Sequence, residues 1–376
     1  MYKLLSTDPL SVHDKRIAPM TRLSNFSFLS AAFGIWLAFL SATSVTAQSI
    51  DPFENGWTLD AETSELRFMS IKKGNVAETN TFATISGLIT DDGKAQIRVL
   101  MDSVDTKVDL RNVRMRFLFF ETFLHPEATI TVQLDPAVLT DLHQTRHKMV
   151  DVEYTLALHG VTIPKTAEVA VTLISNDRVT VSATTPIAVT LVEHNLEEGR
   201  GKLQEAANVD IAPLGIVSFD FTFDRSSPGT PPDMGLLTNV VAPGDAALET
   251  KGNLDREACI GRFEILSRTG NIYFSAGSAR LDRKSTPLLD NLYDVVDRCP
   301  DIAIEIGGHT DSDGSNVANQ RLSERRASAV EAYLRATGIS AGRMKVVGYG
   351  EAEPLFENSS ADNKARNRRI EFSVIN

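Results

Sequence analysis

An arginine on the apolar face of a helix is the residue in this sequence that most plainly requires a chemical partner. From Asn316 to Thr337 the chain has no Gly or Pro and reads as one helix, stopped by Gly338. At 100° per residue Leu322, Ala329, Val330 and Tyr333 form its apolar stripe, with Arg326 in the middle and Asn319 beside it. Arg321, Glu324, Arg325, Glu331 and Arg335 fall on the opposite, solvent side. Taking a guanidinium out of water without a partner costs roughly several kcal/mol, so Arg326 needs a carboxylate.

Two carboxylates are candidates. One is intrinsic: Gly307-Gly308-His309-Thr310-Asp311 leads into the same helix, and Asp311 puts an anion near its start. The other belongs to a ligand, which Arg can bind through two parallel N–H donors. A site with Asp311 for an ammonium and Arg326 for a carboxylate suits a zwitterionic amino-acid head. The alternative is a structural Asp–Arg bridge that closes the loop on the helix, and spacing leaves both readings open. His309 stands alone in a polar loop without neighbouring ligands at metal spacing, so it reads as a hydrogen-bonding residue. No cofactor or metal is expected. No Ser/His/Asp or Cys/His arrangement points to catalysis, and His159 beside Asp151 and Glu153 is explained by a strand ending in a Gly turn. The protein reads as a binder rather than an enzyme.

The elements that must hold this loop and helix alternate in type. Ile272–Phe274 reads as a short strand, and a helix follows from Thr286-Pro287 with the stripe Leu288, Leu292, Val295 and Val296. Ile302, Ile304 and Ile306 alternate in a strand, and Met344–Val347 and Arg369–Ile375 are further strands. This is an α+β sandwich, two helices on a mixed sheet, over about 254–376.

The preceding half, 57–225, has the period of two instead. Leu66, Phe68 and Ser70 alternate with polar neighbours, as do Ile97, Val99 and Met101. Asp91-Asp92-Gly93-Lys94 and Ser175-Asn176-Asp177 are hairpin turns, with strands at Asp151–Leu158, Glu168–Leu173, Val179–Ala183 and Val217–Phe223. So many antiparallel strands must close into a barrel or stack as a sandwich. The one helix-like interruption, Leu110–Phe123, carries Phe117, Phe119, Phe120 and Phe123. These rings either line a cavity under a barrel mouth or plug the barrel as core. Between the halves, 226–253 opens with Ser226-Ser227-Pro228-Gly229-Thr230-Pro231-Pro232 and reads as a flexible linker.

The chain of 376 residues has a net charge of −11, which argues against nucleic acid as a partner. Its first 47 residues read as a signal peptide. An uncharged stretch, Phe26–Ala47, follows Arg22 and ends in small residues before Gln48, the expected mature N-terminus. Met20 onward alone has all the parts of a signal. The rival reading is a retained anchor, since 22 uncharged residues can span a bilayer. In an exported chain the two cysteines, Cys259 and Cys299, are expected as a disulfide, with two buried free thiols as the alternative.

Two resemblances add to this. Gly308-His309-Thr310-Asp311, Asn319-Gln320-Arg321-Leu322-Ser323-Glu324-Arg325-Arg326-Ala327, Gly348-Tyr349-Gly350-Glu351 and Asn367-Arg368-Arg369-Ile370-Glu371 together resemble the signature of OmpA-like peptidoglycan-binding domains. The resemblance implies that Asp311 and Arg326 hold the diaminopimelate side chain of the stem peptide, with Thr310, Asn319, Leu322 and Arg369 lining or bracing the pocket. Trp57-Thr58-Leu59-Asp60, Asp105-Thr106, Arg111-Asn112, Phe119-Phe120-Glu121 and Leu158-His159-Gly160-Val161-Thr162 are similar to landmarks of the YceI-like family. That family implies an eight-stranded, lipocalin-like barrel around an isoprenoid or related lipid. The stretch Thr190–Ala207 departs from its pattern. The expectation is therefore a periplasmic, wall-bound protein, its outer-membrane association left open. The alternative is a lipid carrier for which wall binding only sets location.

Overall fold

The computed structural model describes residues 51–239, 241, 244–249, 251–269 and 272–375. The expected signal, 1–47, lies outside the described residues. Among those described, no helix is long and apolar enough to cross a membrane.

The first half supplies β1 (Trp57–Leu59), β2 (Glu65–Lys72), β3 (Val76–Phe82), β4 (Ile85–Ile89), β5 (Lys94–Leu100) and β6 (Val104–Asp105). Helix α1 (Asp109–Arg114) runs on into a π-turn, Met115–Phe119. Then come β7 (Glu127–Gln133), the single turn α2 (Leu142–Thr145), β8 (His147–Leu158), β9 (Val161–Ser175), β10 (Arg178–Ala183), β11 (Ile187–Thr190), α3 (Glu197–Ala207) and β12 (Leu214–Arg225).

Pairing closes this sheet on itself. The order β1-β4-β5-β7-β8-β9-β10-β12 returns to β1, because Trp57–Leu59 pair with Phe223–Arg225. Eight antiparallel strands thus form a barrel. The other half of β12 pairs with β2 and β11, so several staves are kinked into two segments. Both hairpins read from sequence are present, linking β4 to β5 and β9 to β10. Alternation works as expected in the best-buried staves. Ile97 and Val99 of β5, Val169, Val171 and Leu173 of β9, and Phe221 and Phe223 of β12 are all buried. Each such side chain contributes about 1.5–3 kcal/mol by leaving water. One helical interruption was expected, and among the described residues three are present, α1 with its π-turn, the single turn α2, and α3. Helix α3 occupies most of Thr190–Ala207, the stretch that departs from the family pattern.

The second half contains the single turn α4 (Gly235–Thr238), α5 (Arg256–Thr269), α6 (Thr286–Asp297), β13 (Ala303–His309), α7 (Asn316–Ala336), β14 (Met344–Gly350), α8 (Ala361–Asn367) and β15 (Ile370–Ile375). The sheet order is β14-β13-β15, with β14 parallel and β15 antiparallel to β13. Helix α6 buries Leu288, Leu292, Val295 and Val296, as its stripe requires. Two expectations need correction. Ile272–Phe274 is not a strand, since Phe274 makes one bridge, to Leu281. Helices α5 and α8 were not anticipated. Cys259 on α5 and Cys299 after α6 are joined (S–S 2.04 Å), which removes the free-thiol alternative.

The stretch read as a flexible linker packs over much of its described length. Leu236 O accepts from Ser86 Oγ at 2.8 Å, Asn239 O from Arg98 Nη1 at 2.8 Å, and Gly244 donates to Asp102 at 2.8 Å. The Glu249 carboxylate meets Arg116, which follows α1, as well as Arg262 of α5 at 3.1 Å and Arg298 at 3.5 Å. Arg262 also pairs with Asp109 of α1 at 2.9 Å. Pro and Gly content indicates where regular structure stops, not whether the chain docks.

Candidate functional site

The first candidate pocket is built where α7 lies on the ends of β13 and β14. A side chain at Gly308 would place its Cβ 2.1 Å from Ser323 O, and one at Gly348 would meet Glu324 N at 2.7 Å. Helix and sheet therefore touch backbone to backbone. This contact sets which face of α7 is inside: Asn319, Ser323, Ala327, Val330 and Leu334. The stripe assigned from sequence is thus displaced by about one position. The sheet selects small residues, which hydrophobicity ranks low. Arg326 flanks the buried face, half-buried, with Leu322 one turn before it.

Asp311 is buried, and its partner is Arg368 (Nη1 to Oδ2, 2.5 Å), a residue the sequence reading did not select. Its other oxygen accepts from Asp313 N at 3.0 Å. Asn319 Nδ2 donates to Asp311 O at 3.2 Å and to Glu351, so it braces the loop. Arg326 donates Nε–H to Ser278 O at 3.1 Å and lies 5.1 Å from the Phe274 ring centre. No carboxylate among the described residues forms an ion pair with it. Burial and the nearby Arg368 lower its pKa, and Asp311 opposes that shift. The structural Asp311–Arg326 bridge is therefore not formed. Thr310 Oγ1 is buried without a partner among the described residues, although its N–H reaches Gly350 O at 2.8 Å.

Arg369 is buried and already bonded, to Glu371 at 2.9 Å and to Glu353 O at 3.4 Å. It is suited to bracing rather than to gripping. His309 stacks on Tyr349 (4.9 Å between ring centres), and burial, helped by Arg369 and opposed by Glu371, lowers its pKa to about 4. It is a neutral wall of the loop. Among the described residues no group of three His, Cys, Asp or Glu is placed to hold a metal.

The second site is the interior of the barrel, a cavity of about 980 Å³ with mainly apolar walls. Phe119 and Phe120 line it. Phe120 packs against Phe82 at 5.9 Å and Phe68 at 6.3 Å between centres. Phe117 and Phe123 do not line it. They stack on each other at 6.3 Å as core. A π-turn changes the angular step of a helix, so a flat reading of the Phe run could not sort the four.

Comparison with known proteins agrees with this division. The OmpA family model matches residues 273–368, and that of the YceI-like domain matches 57–223. Outer membrane porin F of Pseudomonas aeruginosa is 31% identical over 172 residues, 44% of this chain and 49% of that protein. The peptidoglycan-binding protein ArfA of Mycobacterium bovis is 31% identical over 152 residues, 40% of this chain and 46% of that protein. The chain spans about half the length of these curated relatives. A solved polyisoprenoid binding domain from Saccharophagus degradans is 35% identical, covering 45% of this chain and 98% of that one, with a TM-score of 0.44. Both matched families are binding modules. The chain carries a YceI-like domain followed by a domain of the OmpA family.

Proposed function

We propose that the protein is a non-catalytic binding protein of the cell envelope. Its C-terminal domain, about 254–376, holds peptidoglycan non-covalently by the diaminopimelate stem peptide. The observation that carries this is Arg326, a half-buried guanidinium with no carboxylate partner among the described residues, beside Asp311 and the unpartnered hydroxyl of Thr310. Arg326 takes the ligand carboxylate and Asp311 its ammonium. Asn319, Leu322 and Arg369 line or brace the pocket, and Arg368 holds Asp311 in position. The relationship to a protein named for peptidoglycan binding supports the same reading. In this reading residues 1–47 direct export and are removed, the protein works in the periplasm, and the wall holds it near the outer membrane.

The barrel, about 57–225, carries an isoprenoid-like or other long-chain amphiphile. A cavity of about 980 Å³ with mainly apolar walls supports this, since ligand sites fall in the range of roughly 300–1,000 Å³. Sedimentation of the full-length protein with purified peptidoglycan tests the wall site. Arg326→Ala should lose a contact of about 2–5 kcal/mol and stay in the supernatant. Arg325→Ala, exposed on the same helix, should pellet like the wild type. Equal pelleting of both variants would remove Arg326 from the site.

A further inference from the structure

The cavity walls are mainly apolar but carry charged side chains in several places, among them a group of cations beneath α1. There its lining includes Lys72 and Lys73 at the β2–β3 turn, Glu78 on β3, and Arg111 and Arg114 one helical turn apart on α1. Four cations face one carboxylate. Glu78 is already shared, accepting Lys72 at 2.6 Å and pairing with Arg111 as well. Nothing remains for Arg114. Its Nε is buried with no protein partner, and no carboxylate among the described residues forms an ion pair with it. The neighbouring acids are otherwise placed. Asp109 pairs with Arg262, Asp105 with Lys107, and Asp210 is exposed, with its backbone O accepting from Lys73 N. A guanidinium in the wall of an apolar cavity gains most from an oxyanion that brings its own hydrocarbon tail.

We propose that the amphiphile bound in the barrel has an anionic head, a phosphate ester or a carboxylate, which is held by Arg114. This rests on the lipid-binding reading of the barrel and deepens it. The tail follows the apolar staves towards Phe53, Leu139 and Leu142, while the head stays at the α1 end. Lys73, which makes no ion pair among the described residues, lies on the β2–β3 turn where it can screen a second charge on a phosphate. Lys72 and Arg111 keep Glu78 neutralised, so that this carboxylate does not repel the head. Arg114 is then the residue that sets specificity between charged and neutral lipids of equal length.

The test uses full-length protein and matched probes: farnesol, farnesyl phosphate, hexadecanol and palmitate, in a competition assay against a fluorescent fatty probe. Charge-assisted hydrogen bonds predict that at least one anionic probe binds roughly 10- to 100-fold more tightly than its alcohol. The more favoured of phosphate and carboxylate identifies the head. Arg114→Gln should weaken the favoured anion far more than its alcohol and so remove that preference, and Arg114→Lys should restore part of it. If the wild type binds alcohols and anions equally, the head-group proposal fails and the lipid-binding reading stands. If no probe binds at all, the lipid-binding reading itself fails. The wild-type comparison needs no variant, so misfolding of Arg114→Gln cannot rescue the proposal.

Discussion

The two candidate sites are made in opposite ways. The barrel cavity follows from closure: eight strands leave an interior that side chains only partly fill, and its apolar lining comes from alternation. The C-terminal pocket is built from a few polar atoms held by close backbone contact, with Asp311 fixed by Arg368 and Arg326 left without a counter-ion among the described residues. A change of one methyl group or one charge there alters the site. The comparison shows where to look for a ligand in each kind of site. An apolar site reveals itself by unfilled volume, and a polar one by donors and acceptors that the protein does not satisfy.

Four perturbations can break or sharpen this contrast, taken from the largest effect to the smallest. Phe117→Ala should cost the barrel about 3–5 kcal/mol, because a buried, stacked ring is lost from packed core. Phe119→Ala removes a ring that already faces open volume, so its stability should fall less than half as far. Equal losses, measured by urea unfolding, would mean that the two rings are not in different environments. Second, the disulfide closes a loop with a separation of 40 residues, worth roughly 3–4 kcal/mol in the chain-entropy model. Reduction should lower the melting point of the C-terminal domain and leave the barrel transition in place. Third, Gly308→Ala drives a methyl against Ser323 O and should cost about 1–3 kcal/mol, near the top of that range. The pocket should loosen with it, since α7 has to move off the sheet. Loss of wall binding without loss of stability would contradict the backbone-contact account.

The fourth concerns His309. Its folded pKa, about 4, lies below the ordinary value of about 6.5, so the unfolded chain binds the extra proton in between. Its neutral burial therefore adds stability that is fully present above about pH 6.5 and is lost as the pH falls towards 4. His309→Gln should flatten that slope in the C-terminal transition by comparison with the wild type. An unchanged slope would assign the acid sensitivity to other groups.

Much of this architecture was legible in the sequence because it depends on patterns that survive without neighbours. The β4–β5 and β9–β10 hairpins, the α6 stripe and the Ile302-Ile304-Ile306 strand come from local turn chemistry and periodicity. What was not legible depends on tertiary contact. The inner face of α7 is chosen by Gly308 and Gly348, so Ser323 and Ala327 are buried while Leu322 is only half-buried. Arg368 was passed over for Arg369 because adjacent arginines in a strand approach look alike until one is seen to reach Asp311. Helix α5 has a weak stripe, interrupted by the buried Arg262, whose partners Asp109 and Glu249 are distant in sequence. Charge pairing of that kind has no local signature.

The central claim is that Arg326 and Asp311 hold a ligand rather than each other. The most direct measurement is the thermal unfolding of full-length protein titrated with a soluble diaminopimelate-containing stem peptide. A ligand that binds only the folded domain stabilises it by about 2.7 kcal/mol at a hundred times its Kd. The account predicts a rise in the C-terminal transition that grows with peptide concentration, is absent in Arg326→Ala, and leaves the barrel transition unmoved. A wild-type C-terminal transition that stays fixed at saturating peptide would contradict it.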